Sequence, residues 1–128
     1  KTIVFSSIAD DVAVGVMDDS IGTEFGHRVR RVLNTQPYSM LGANTKVSQL
    51  EIYTDVGVDD NSQLTISWSD DGGFTYGNKL SRSTGALGEY NTRVLWDQLG
   101  GFSRQRMLQI EYTGAYPRSI NKLMANIQ

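Results

Sequence analysis

The sequence predicts an all-β domain: a two-sheet antiparallel sandwich that contains an Asp-box hairpin. Three observations carry that reading. Apolar residues recur at every second position through much of the chain, as in strands with one buried and one wet face. Turn-forming residues punctuate those runs. No stretch of a dozen residues keeps a helical period.

The elements follow in order. Val12, Val14 and Val16 alternate with other residues over a short stretch. The least regular part, Asp18 to Gly26 with Gly22 and Gly26, joins two short N-terminal strands to the main body. In His27-Arg28-Val29-Arg30-Arg31, an extended backbone puts Arg28 and Arg30 on one side and Val29 and Arg31 on the other. Leu50, Ile52, Thr54 and Val56 alternate with Gln49, Glu51, Tyr53 and Asp55. Leu64, Ile66 and Trp68 alternate with Thr65 and Ser67, and the turn Asp70-Asp71-Gly72-Gly73 follows. Ser83-Thr84-Gly85 marks the next turn. Asn91 to Gln98 fits two helical turns, although Val94 and Trp96 also fit a strand. After Gly100-Gly101, Leu108, Ile110 and Tyr112 alternate with Gln109, Glu111 and Thr113. Tyr116-Pro117 is a turn, and Asn121 to Ile127 reads as a terminal strand. The total is seven to nine strands, with Trp68 and Trp96 as core anchors.

Length and composition narrow the chemistry. The 128 residues suffice for one domain with a sizeable core. A net charge of −2 argues against a dedicated nucleic-acid binder. The absence of Cys excludes disulfides, thiolate zinc sites and a Cys nucleophile, and the single His27 excludes a multi-His metal cage. No apolar run approaches the ~20 residues of a membrane span, and no secretory signal pattern is expected. Neither a metal nor a cofactor is expected. The first residue is Lys1, so a piece of a longer chain is expected.

Charge is unevenly placed. Through Thr75 there are five basic and eleven acidic residues; from Tyr76 onward there are seven and three. Eight acids form the doublets Asp10-Asp11, Asp18-Asp19, Asp59-Asp60 and Asp70-Asp71. Asp favours turns, where its carboxylate bonds nearby backbone N–H groups, so the doublets read as loop tips. The other reading is of acidic and basic regions that meet neighbouring subunits.

The most specific local signal is Ser69-Asp70-Asp71-Gly72-Gly73-Phe74-Thr75-Tyr76, which resembles the Asp-box Ser-x-Asp-x-Gly-x-Thr-Trp with Tyr76 in the Trp place. In such a hairpin Ser69, Asp71, Gly73, Thr75 and Tyr76 serve a structural turn: the carboxylate accepts N–H bonds, Gly supplies a positive φ, and the aromatic packs beneath. A calcium site at Asp70-Asp71 lacks the alternating acid ligands of an EF-hand, and Asp55 to Asn61 reads as a solvated hairpin tip. A glycosidase needs two carboxylates facing each other across a sugar; Glu51 and Glu111, the acids within strands, sit on the polar parity, and nothing selects a pair. No nucleophile elbow surrounds any Ser. Gly72 and Gly77 are followed by Asn78 where a phosphate loop needs Lys.

From Ile66 onward the order of features becomes specific. Ser67 to Tyr76 is followed by Gly85-Ala86-Leu87-Gly88-Glu89-Tyr90, then Arg93-Val94-Leu95-Trp96-Asp97-Gln98-Leu99-Gly100, then Arg104-Gln105-Arg106. This succession resembles the C-terminal part of the packaged DNA stabilisation proteins of short-tailed bacteriophages. The likeness extends more weakly upstream and covers Gly22 to Ile120. It implies a virion component and no enzyme: a tail hub or nozzle that continues the DNA channel below the portal and adaptor. Such a hub carries the needle or tailspikes and retains packed DNA. It further implies a homohexameric ring with DNA passing through unread, assembly in the host cytoplasm, and no membrane partner. By the same likeness, residues 1–128 are the end of a longer chain, and residues 1–22 are open to being strands of a preceding propeller blade.

Within that frame Gly85 and Gly88 permit tight turns, and Glu89 is expected to pair with Arg93 or Arg104. Arg93, Arg104 and Arg106 hold loops or a neighbouring subunit through bidentate carboxylate bonds. Arg28, Arg30 and Arg31 form an intersubunit salt-bridge strand. A rival reading, a glycan- or receptor-binding β-sandwich, draws on Tyr53, Tyr76, Tyr90 and Tyr116.

Overall fold

The computed structural model describes residues 4–6, 14–16, 20–21, 23–24, 26–39, 44–58, 62–114 and 118–127. Lys1, Val12, Gly22, Asn61, Tyr116, Pro117 and the doublets Asp10-Asp11, Asp18-Asp19 and Asp59-Asp60 lie outside the described residues.

The described residues contain eleven strands and no helix: β1 (Val4–Ser6), β2 (Val14–Val16), β3 (Thr23–Glu24), β4 (His27–Asn34), β5 (Thr45–Thr54), β6 (Gln63–Ser69), β7 (Leu80–Ser83), β8 (Val94–Asp97), β9 (Gly101–Phe102), β10 (Met107–Gly114) and β11 (Ile120–Ile127). The expectation of seven to nine strands was low because β3 and β9 have two residues each, too few for alternation to register.

The strands form an antiparallel sandwich. One sheet has the order β3-β4-β10-β6-β7; the other has the order β11-β5-β8, with β9 paired to the start of β5. β1 and β2 make a separate two-stranded sheet. The core lies between the large sheets. Leu64, Ile66, Leu108, Ile110 and Tyr112 enter it from one side, and Val47, Leu50, Ile52, Val94 and Trp96 from the other. The period-two reading of β6 and β10 thus points their apolar sets inward. In β8, Val94 lies opposite Ile52 and Trp96 opposite Leu50, so within Asn91 to Gln98 the residues Val94–Asp97 form a strand and no helix.

β5 breaks its own alternation. Val47 and Leu50 are both buried although three positions apart. The register against β11 shifts there: Asn126 lies opposite Gln49, but Ile127 lies opposite Val47. The extra residue on β5 is a β-bulge that rotates the strand so that both halves bury their apolar residues.

One side of the sandwich is tied across the sheets. Trp96 is fully buried, and its Nε1 donates to the Leu80 carbonyl at 3.1 Å. Arg82 Nε donates to the Leu95 carbonyl at 3.0 Å. Trp68 is half-buried and packs against the core, and the guanidinium of Arg106, just before β10, lies 5.0 Å from its ring centroid.

Candidate functional site

The chemistry-bearing side chains gather into three clamps between cations and carboxylates. The first is built on Arg106, which is 2 % exposed. Its Nε and Nη2 grip Asp70 Oδ1 and Oδ2 at 2.7 and 2.9 Å. Its Nη1 donates to the Leu99 carbonyl at 2.7 Å, and Nη2 also donates to the Gly101 carbonyl at 3.1 Å. Trp68 and Phe102 lie within cation–π distance of its guanidinium, both at 5.0 Å. One side chain therefore joins the β6–β7 turn, the segment after β8 and β9. A guanidinium can be buried this way because four of its five N–H donors are matched, two of them by a carboxylate.

The second clamp is Arg93 on Glu51, bidentate at 2.9 and 2.7 Å. These two hydrogen bonds, chiefly, hold the Glu51 carboxyl below the usual carboxylate range. The third is Glu111, which accepts from Arg30 at 2.5 Å and from Lys79 at 2.9 Å. Arg30 and then Lys79 lower its pKa in the same way. Although Glu111 sits on the polar parity, it is 9 % exposed, because the two cations fold over it on the outer face of β10.

The turn between β6 and β7 has its own network. Ser69 Oγ donates to Asp71 Oδ1 at 2.6 Å and accepts the Gly73 N–H at 2.9 Å. Asp71 also accepts the Thr75 N–H at 3.0 Å and the Thr75 hydroxyl. Bonds from Ser69 and then Thr75 drive the Asp71 carboxyl far below its ordinary range. Gly72 and Gly73 take φ values of +82° and +94°. Tyr76 is half-buried.

Other predicted residues fall as follows. The Glu89 pairing with Arg93 or Arg104 is corrected. Glu89 Oε2 instead accepts the Ala86 N–H at 2.8 Å within its own tight turn, and Arg93 is taken by Glu51. Arg104 is exposed and makes no ion pair among the described residues. Arg28 is exposed, and Arg31 stacks on Tyr112 at 5.7 Å. Arg30, expected to meet another subunit, is paired within the chain. Tyr53 and Tyr90 are exposed, Tyr76 is not, and Tyr116 lies outside the described residues. Sequence reasoning missed Lys79 altogether; only its strand neighbourhood after folding places it beside Glu111.

Chemically, these groups bind one another. Glu51 and Glu111 lie on the outer faces of different sheets, so they cannot face each other across a substrate. Among the described residues no group of three His, Cys, Asp or Glu side chains is placed to hold a metal. The class that fold and site define is a rigid antiparallel β-sandwich whose charges lock its loops. Comparison with known families narrows the class. Residues 30–128 match the family described as bacteriophage P22 Gp10, beta-sandwich, and the chain belongs to that family. It corresponds to a C-terminal segment of a structural tail hub protein of short-tailed phages. No curated protein matches the chain.

Proposed function

We propose that this β-sandwich works as a structural part of the tail hub or nozzle. It closes the tail channel, retains the packaged DNA, and links the portal and adaptor complex to the needle or tailspike. The observation that carries the reading is the family match over residues 30–128. The residues act as one domain within a longer subunit, the subunits form a homohexameric ring, and the ring assembles in the host cytoplasm before becoming part of the virion. The turn from Ser69 to Tyr76 serves as an Asp-box hairpin in a structural role. Arg93 and Arg106 support this reading, since bidentate clamps keep a surface rigid without giving it catalytic groups.

The test is deletion of the gene in the phage that carries it. Capsids that package DNA and then lose it, with retention restored by the wild-type gene in trans, are the expected result. Full retention of DNA without the gene overturns the proposal. A second reading, a glycan- or receptor-binding module, draws on Tyr90, which is 68 % exposed on a loop held by backbone bonds. Unchanged adsorption of phage carrying Tyr90→Ala removes it.

A further inference from the structure

One end of the sandwich carries a cavity that the clamps leave unfilled. Its volume is about 420 Å³, and it lies between the start of β5, the turn after β6 and the segment from β9 towards β10. Lys46, Asp70, Gly101, Ser103, Arg104 and Gln105 line it. That volume falls within the ~300–1,000 Å³ of small-molecule sites. The walls are fixed in advance. Arg106 bonds Asp70 and the Leu99 and Gly101 carbonyls, and Gly101 pairs with Lys46 across β9 and β5. A site fixed before binding loses little freedom on binding.

Charge in the cavity is unbalanced. Lys46 and Arg104 are exposed, and neither has a hydrogen bond or ion pair among the described residues. Among the described cations only Arg28 shares that condition, and it lies at the opposite end, at the start of β4. Asp70 stands on the same wall, its charge met by Arg106. Each of its oxygens takes one Arg106 N–H, whereas a carboxylate has about four acceptor sites. Its side chain is 42 % exposed, so acceptor capacity remains towards the cavity.

This combination selects among ligands. A phosphodiester offers acceptors only and would set anionic oxygens against Asp70. A neutral sugar would leave both cations unused and would find no aromatic face to stack on, since Phe102 is 7 % exposed and already meets Arg106 and Tyr38. A ligand with a carboxylate and several hydroxyls uses both halves. We infer that the cavity binds a sugar acid, its carboxylate held by Lys46 and Arg104 and a hydroxyl donating to Asp70. The inference goes beyond the tail role and does not rest on it. It also differs from the reading built on Tyr90, which follows β7 at the Gln63 end of β6, whereas Asp70 follows Ser69 at the other end.

The test is isothermal titration calorimetry of the full chain with glucuronate, galacturonate and N-acetylneuraminate. At least one should bind saturably, and more weakly as salt rises. Two partial mimics separate the halves of the site. Cyclohexanecarboxylate has the carboxylate without hydroxyls, and glucose has hydroxyls without the carboxylate. Each should bind about tenfold or more weakly than the acid. Arg104→Gln and Lys46→Gln should each weaken binding of the acid about tenfold. As both side chains are exposed and unpaired, the melting temperature should hold. No saturable binding of any of the three acids overturns the inference. So does an affinity matched by either mimic, by inorganic phosphate or by a short DNA duplex. Binding that neither substitution weakens, in chains that melt as the native one does, puts the ligand elsewhere and overturns it too. Loss of the tail role is read separately, from DNA retention after gene deletion, and leaves this result standing.

Discussion

Arg106 and Trp96 show how single side chains set the frame. Burying a guanidinium costs several kcal/mol, which Asp70 and two carbonyls offset only while the fork is intact. Arg106→Lys keeps the charge but loses the planar fork, leaving acceptors unmatched. It should cost about 2–4 kcal/mol in denaturant melts; a loss within experimental error would show that the fork does not matter. Trp96→Ala empties a fully buried site between the sheets and leaves the Leu80 carbonyl without its donor. The expected loss is about 3–5 kcal/mol. Trp96→Phe should recover most of the packing but not the bond, and so fall between Trp96→Ala and the native chain. An unchanged melting temperature for Trp96→Ala would contradict the packing of β8.

The loop after β7 illustrates the element scale. Gly57 N–H donates to the Thr84 carbonyl, and Gly88 N–H to the Gly57 carbonyl. Gly57 has φ +68°, and a Cβ there would meet the Glu89 backbone at 2.8 Å. Backbone cannot yield as a side-chain tip can. Gly57→Ala should therefore destabilise by more than the about 1–3 kcal/mol of left-handed strain alone, and limited proteolysis should reach the loop containing Glu89 first. Gly88, also at positive φ, has open space around it and should lose only the strain. At this scale much of the fold was legible. Alternation in β6, β8 and β10 exposed their buried faces, because each pairs without interruption. The bulge in β5 was hidden, since a phase shift at Ser48 depends on which partners flank it. Of the site, the arginines were legible as bidentate binders, but their partners were not. Arg93 reaches Glu51 and Arg30 reaches Glu111 across sheet neighbours far apart in sequence, and composition carries no register.

For the whole molecule, the three perturbed carboxylates make stability depend on acid in a definite direction. Asp71, Glu51 and Glu111 all have folded pKa values below their ordinary ones. The unfolded chain therefore binds more protons as pH falls, and stability must fall with it. The contribution is fully present above the unfolded carboxylate range, about pH 4–5, and is lost as pH drops through the folded values. The groups lie in the β6–β7 turn, β5 and β10, so the loss loosens both sheets at once. Neutralising acids also leaves twelve Lys and Arg charges to repel one another. Salt separates the two effects, because it screens repulsion and weakens exposed ion pairs such as Arg93 with Glu51. Asp71 owes its shift first to Ser69 and Thr75, which are neutral, so its share should resist salt. Denaturant midpoints measured from neutral pH down to about pH 2 should fall, with the decline persisting in high salt. Asp71→Asn should lower stability at neutral pH and flatten that salt-resistant decline. An equally steep decline in Asp71→Asn would place the acid sensitivity elsewhere and break the link between this turn and the stability of the fold.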